Sequence, residues 1–252
     1  MFIKRDAFGK LLFIKRLMIL FFGVIVYYRH NVINKTKLEG VENLLGLPNQ
    51  RVLFVSNHQT YFSDVAMFFL VFAAAKNGFI NKLKYPWYLL NPRLRLYFVA
   101  AVETMKAGLL PKIFTYAGSI SIKRTWRASG QDVKRQVDLK DITKIGDALN
   151  DGWVITFPQG TTTPFKQGRK GTGFLIKKFQ PIVVPIVIDG FRRAFDKKGL
   201  RLKKKGVTLS VRIKEPMKID YSLEAEEIIL KVMDAIEQTP DYSYFSLNEN
   251  PN

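Results

Sequence analysis

The chain has 252 residues, with 40 Lys+Arg against 21 Asp+Glu and a formal net charge of +19. Having no cysteine and two histidines, it excludes disulfide scaffolds, thiolate zinc sites, iron–sulfur clusters, cysteine nucleophiles and multi-histidine metal centres. A 47% hydrophobic content excludes a disordered chain, the length fits one large domain or two small ones, and the charge excess requires an acidic partner: anionic lipid, nucleic acid, or a phosphorylated or acidic ligand.

At the N-terminus, Lys4, Arg5, Lys10, Lys15 and Arg16 interrupt apolar residues, and Leu17 to Tyr28 then carries no charge. A spanning helix needs ~20 apolar residues. Extending this run toward Leu11 buries Lys15 and Arg16, at roughly 2.5–3.5 kcal/mol each near a helix centre. A basic start and an apolar segment also suit a signal peptide, but YYRHNVINK offers no small-residue cleavage site. Residues 1–30 therefore read as one or two helices lying in a membrane interface, with Lys and Arg at the headgroups. A buried first helix of a soluble domain is the alternative.

A polar linker, Asn31 to Gln50, follows. Val52–Ser56 is a short apolar run and reads as a buried strand. Asp64–Lys76 is an apolar helix with Ser63 as its N-cap. Ser119–Lys123 is a second strand, Gln131–Leu149 a helix, and Trp153–Phe157 a third strand ending at Pro158 and Gly160. Gly171–Phe179 reads as a helix and Ile182–Ile188 as a fourth strand, which Pro185 demotes to an edge, a bulge or a strand end. Val207–Ile213 alternates as a fifth strand. Ser222–Gln238 is a helix with Ile228, Ile229, Val232, Met233 and Ile236 on one stripe. This alternation predicts an α/β domain over residues 31–240, with a mainly parallel sheet flanked by helices, and a polar tail at 241–252.

The chemistry concentrates in SNHQTYFSD, Ser56 to Asp64. His58 follows a buried strand, where ligand sites of open α/β sheets lie. A neutral imidazole accepts a proton from an alcohol, and a carboxylate on its other nitrogen fixes the tautomer and stabilises the imidazolium. No serine sits in a nucleophile elbow, so direct proton abstraction from a substrate hydroxyl is the natural reading. Read alone, Asp64 equally suits a helix N-terminus and His58 a hydrogen-bonded strand end.

Three further segments, GSISIKR (Gly118–Arg124), FPQGT (Phe157–Thr161) and VPIV (Val184–Val187), complete a pattern. With NH-x5-D, they make the sequence resemble the glycerolipid acyltransferase family, which includes the 1-acyl-glycerol-3-phosphate acyltransferases. The four blocks run in family order from about Val52 to Ile188. Two departures stand out. Five residues, Gln59 to Ser63, separate His58 from Asp64 where the family has four, so Ser63 occupies the usual Asp position. Gln159 replaces the family's Glu, and Thr162 its Arg. Neither spacing puts His and Asp on one helix face, so a turn must bring them together.

The resemblance implies an acyltransferase moving a fatty acyl group from acyl-CoA or acyl carrier protein thioester to a lysophospholipid hydroxyl. The first choice of acceptor is 1-acyl-glycerol-3-phosphate, giving phosphatidic acid. Another lysolipid, such as a lyso-aminolipid, is the alternative that Gln159 motivates. His58 is then the general base and Asp64 its partner. Asn57 belongs to the same block. Lys123 and Arg124 hold the acceptor phosphate, as a guanidinium matches phosphate oxygens. Gln159, Gly160 and Thr161 contact the acceptor, and Pro185 shapes the strand. No metal and no cofactor beyond the thioester co-substrate is implied. The expected location is the cytoplasmic face of the cell membrane, against its anionic surface. The Arg192–Lys205 cations read either as a solvated face or as a contact with anionic headgroups, an acidic carrier protein or a nucleotide, and Lys166, Arg169 and Lys170 are further candidates to meet phosphates. Nucleic-acid binding, which the charge permits, lacks zinc-finger spacing, an aromatic RNA-binding signature and a recognition helix. A catalytically silent membrane-binding relative is the third reading, motivated by the altered His-to-Asp spacing.

Overall fold

A computed structural model describes residues 4–105, 109–123, 127–128, 131–132 and 139–243, and within these no side chain of 104–105, 109–112, 127–128 or 131–132. A seven-stranded sheet organises the chain. Its strands are β1 (Lys35–Glu39), β2 (Val52–Ser56), β3 (Leu96–Ala101), β4 (Ser119–Ile122), β7 (Trp153–Thr156), β8 (Ile182–Asp189) and β9 (Thr208–Ile213), in the order β1-β9-β8-β2-β7-β3-β4. Strands β8, β2, β7, β3 and β4 run parallel, while β9 is antiparallel to β8 and parallel to β1. The two-residue strands β5 (Arg127–Ala128) and β6 (Gln131–Asp132) form a separate ladder.

The helices are α1 (Leu12–Tyr27), α2 (Ser63–Lys76), α3 (Val102–Met105), α4 (Leu109–Ala117), α5 (Leu139–Asp151), α6 (Lys170–Phe179), α7 (Phe191–Ala194) and α8 (Ala225–Ala235). They sandwich the sheet. Val52 and Phe54 of β2 face α2, whereas Leu53 and Val55 face α5, α6 and α8. A strand covered on both faces needs an unbroken apolar run, and VLFVS is one. Helix α2 is apolar all round because α1 packs on its outer side, so it is buried on every face.

Several expectations need correction. The stretch expected as a polar linker contains β1, whose KTKLE buries only Leu38. An edge strand with exposed lysines needs no apolar run and resists pairing with another chain. Gln131 and Asp132, expected as the start of a helix, instead pair with Ala128 and Arg127, and the helix is described from Leu139. Strand β8 is interior, between β2 and β9, despite Pro185. The Pro185 carbonyl accepts from Lys214 N, one residue beyond the last β8–β9 pair, Ile186 with Ile213. In extended backbone a residue's N and C=O face the same side, so the missing N–H falls where that ladder ends. Strand β3, to which the sequence reading assigned nothing, sits between β7 and β4.

Helix α1 is built into the domain on one side. Leu12 and Ile19 are buried, while Phe13, Leu17, Phe21, Val24 and Tyr28 are exposed at helical spacing. Lys15, expected at headgroup level, is instead 3% exposed and paired with Asp6 at 3.0 Å. No described helix is long and apolar enough to cross a membrane.

Candidate active site

Strand β2 ends at Ser56, and the chain turns through Asn57–Phe62 before α2 begins. This turn brings His58 against Asp64, the second residue of α2. His58 Nδ1 lies 2.9 Å from Asp64 Oδ2. Carboxylate oxygen only accepts here, so Nδ1 carries the proton and Nε2 is the basic nitrogen. Asp64 is fully buried, and its carboxylate also accepts from Gln59 N (2.6 Å), Thr60 N (3.0 Å) and the Thr60 hydroxyl (2.6 Å). Two backbone amides and a hydroxyl thus compensate its desolvation and hold it as an acceptor. The extra residue is absorbed in the Gln59–Phe62 turn, which folds back on the acid it precedes. The imidazole stacks on Phe157, which follows β7, at a centroid distance of 3.8 Å and 21°.

Ser63 was expected as the N-cap of α2, but it makes no capping bond. Its hydroxyl lies 2.6 Å from Nε2 of His30, whose Nδ1 is 2.8 Å from the Val26 carbonyl. A carbonyl cannot donate, so His30 Nδ1 carries the proton and Ser63 donates to Nε2. The second histidine thereby ties the C-terminal end of α1 to the start of α2, stacked on Phe195 at 4.8 Å. Burial pushes the His30 imidazole from 6.5 down to about 4. The unfolded chain takes up that proton near pH 6.5 and the folded chain only near 4, so stability is full above 6.5 and falls as pH drops toward 4. Unfolding in urea should show about 2–3 kcal/mol of this loss between neutral pH and about pH 4.5. His30→Gln should remove it; an unchanged pH slope in that variant would refute the assignment.

The Asn57–Phe62 turn is braced from outside. Tyr61 N and Phe62 N donate to the carbonyls of Lys197 and Lys198, each at 3.1 Å. Gly199, at φ +77°, brings its backbone against Ser63 and Thr60. Asn57 links the turn to β8 by accepting from Ile188 N at 2.8 Å and donating to Ile188 O at 2.9 Å.

A cleft of about 510 Å³ opens at the carboxyl ends of β7, β3 and β4, with His58 in its wall. Phe62, Val65, Ile122, Ile145, Phe174 and Leu175 line an apolar part. Lys123, Arg169 and Lys170 bring positive charge, and the first turn of α6 lies on the same wall, adding its N-terminal dipole. Gly160 and Thr161 line the cleft too. Gly160 adopts φ +63°, but its own N–H closes a turn on the Phe157 carbonyl at 2.9 Å.

The expected residues therefore separate into three groups. His58, Asp64, Lys123, Gly160 and Thr161 converge on or behind the cleft. Asn57 and Gln159 do not line it. Gln159 is 1% exposed, and its amide donates to Lys166 O (3.0 Å) and to Gln238 Oε1 (3.2 Å). Arg124 lies outside the described residues. Sequence reasoning passed over Thr60, His30 and Gly199 as parts of the site. Of these, only Gly199 carried a local signal, the turn chemistry of DKKG. Among the described residues no cluster of His, Asp and Glu could hold a metal ion.

An oriented histidine–aspartate pair at a strand end of an α/β sheet thus faces a cleft that is both apolar and basic. Residues 30–189 match the family model described as Acyltransferase, and the chain belongs to that acyltransferase family. It is similar in fold to the crystal structure of the 1-acyl-sn-glycerophosphate acyltransferase PlsC from Thermotoga maritima. That similarity has a TM-score of 0.54 at 18% identity, covering 92% of this chain and 79% of the other. No curated protein sequence matches the chain.

Proposed function

We propose that this acyltransferase moves a fatty acyl group from a thioester, on coenzyme A or acyl carrier protein, to the free hydroxyl of a lysophospholipid, with 1-acyl-glycerol-3-phosphate the first choice. One observation carries the reading: His58, oriented by a buried Asp64, presents Nε2 at a cleft that is apolar on one part and basic on another. In this reaction Nε2 takes the acceptor hydroxyl proton as the oxygen bonds to the thioester carbonyl carbon. The tetrahedral oxyanion then collapses, the C–S bond breaks, and the imidazolium returns the proton to the leaving thiolate. Asp64 stabilises the transient imidazolium. The apolar wall takes an acyl chain, and Lys123, Arg124 and the α6 N-terminus take the acceptor phosphate. The enclosure of Gln159 means that its replacement of Glu does not by itself choose the head group. A panel of radiolabelled acceptors with acyl-CoA and acyl carrier protein thioesters tests the reading. Lysophosphatidate should be acylated faster than lyso-aminolipids; turnover of a lyso-aminolipid alone would overturn the choice of acceptor, and no turnover of any lysolipid would overturn the reaction.

The enzyme is proposed to work docked on the cytoplasmic leaflet. The exposed stripe of α1 continues into the 3-10 turn Pro86–Leu90, which packs against α1 and exposes Trp87 (71%) and Leu90 (63%). Such a contiguous apolar face flanked by lysines and arginines suits an anionic interface. Phe13→Gln with Phe21→Gln removes two exposed rings without touching the core. It should lower co-sedimentation with phosphatidylglycerol-containing vesicles by roughly tenfold or more; unchanged binding would refute this docking face.

A further inference from the structure

At the other end of the sheet lies a second cavity, of about 480 Å³, which acyl transfer does not use. It opens at the amino ends of β3 and β7, where Trp153 N donates to Arg95 O at 2.9 Å. These strands run parallel to β2, so His58 lies at their opposite ends. Five cations surround the cavity: Lys4, Arg16, Lys76, Arg93 and Arg95. Arg95 pairs with Asp151. Lys76 reaches Asn49 Oδ1 at 3.0 Å and sits 4.2 Å over the Trp153 ring. Lys4, Arg16 and Arg93 have no side-chain hydrogen bond or ion pair with a described residue. Arg93 is held at φ +50°, a conformation that costs a non-glycine residue energy and that functional sites retain.

Five like charges around one cavity repel each other, and a single carboxylate offsets only part of that repulsion. A bound anion of more than one negative charge relieves it, and guanidinium groups match phosphate oxygens bidentately. We propose that this cavity is a binding site for a phosphate-bearing ligand, separate from the transfer cleft. Leu12 and Arg16, four residues apart, share the α1 column that meets the cavity. Phe13 and Leu17, on the adjoining column, are 69% and 47% exposed. A phospholipid headgroup with its chains along these two side chains and a soluble phosphate compound share the required chemistry.

The test uses the full chain in non-ionic detergent. Arg16→Gln with Arg93→Gln is compared with Lys218→Gln and Lys231→Gln, which remove equal charge at exposed positions outside the cavity. Inorganic diphosphate is titrated calorimetrically. In parallel, binding to phosphatidylcholine vesicles with and without phosphatidylglycerol is measured by flotation. The arginine variant should bind diphosphate roughly tenfold more weakly or worse while the lysine variant matches wild type. If the ligand is a lipid headgroup, phosphatidylglycerol-dependent flotation falls in the same variant and diphosphate competes with it. If it is a soluble phosphate compound, flotation is unchanged while diphosphate affinity drops. Equal losses in both variants, reflecting net charge alone, would overturn the site, as would diphosphate and phosphatidylglycerol binding that is insensitive to Arg16 and Arg93.

Discussion

His58→Ala should lower the rate of acyl transfer by at least ~10²-fold, as removal of a positioned general base does, with thermal unfolding little changed. The side chain, 13% exposed, borders the cleft, so the space it leaves joins the cleft rather than forming a closed void, and Asp64 keeps two backbone amides and a hydroxyl; the Phe157 ring loses one stacking face. Asp64→Asn tests the other half of the pair. Asp64 accepts from His58 Nδ1, two backbone amides and one hydroxyl. An amide there must place N–H₂ against at least one of these donors, or turn it toward His58 and force the opposite tautomer. The second arrangement puts a proton on Nε2, where the base must be free. Asp64→Asn should therefore lose about 10²–10⁴ in kcat and also destabilise the fold by about 1–3 kcal/mol, because a buried donor is left unpaired. Ser63→Ala, by contrast, removes only the bond to His30 and should keep most of kcat. Comparable kcat losses in Ser63→Ala and Asp64→Asn would refute the view that the carboxylate one position later has taken over the partner role.

Gly199→Ala should impair both the fold and turnover from outside the cleft. A Cβ at this position would lie 2.6 Å from Ser63 N, 2.7 Å from Ser63 Cβ and 2.8 Å from Thr60 Oγ1. Two of these neighbours are backbone or the first side-chain carbon, which cannot swing aside. The catalytic turn must move, and with it the Thr60 hydroxyl that holds Asp64. Gly206 provides the control. It shares a left-handed backbone, at φ +72° against +77° for Gly199, but a Cβ there meets nothing within 4 Å. Gly206→Ala should cost about 1 kcal/mol of backbone strain and no activity. Gly199→Ala adds overpacking, about 1–3 kcal/mol more, and should lower kcat roughly tenfold or more by displacing the base, since a small misplacement of a catalytic group is expensive. Identical melting temperatures and kcat for the two alanine variants would refute the bracing role of the 197–201 loop.

The order of strands and helices was legible where one residue pattern dominates. VLFVS and WVITF are apolar runs that suit strands covered on both faces. The α8 stripe from Ile228 to Ile236 reads directly as a buried face. The elements that escaped are those whose stability comes from neighbours. Strand β1 buries one leucine and exists because β9 offers it a ladder. Gln131 and Asp132 read as the start of a helix because propensity could not register their short pairing with Ala128 and Arg127.

Within the site the same division holds. Residue identity determined the chemistry on offer: one imidazole after a buried strand, one acid at the head of an apolar helix, a glycine turn after FPQ, and no thiol. Tertiary structure decided how these groups are used. It folded the five-residue spacer, one residue longer than usual, so that Asp64 rather than Ser63 reaches His58, turned Ser63 to a histidine thirty-three positions earlier, and enclosed Gln159 against Gln238. Local spacing constrains only neighbours a few residues apart. Which distant side chain answers a buried polar group depends on how helices and strands pack, and that is settled only when the whole core closes.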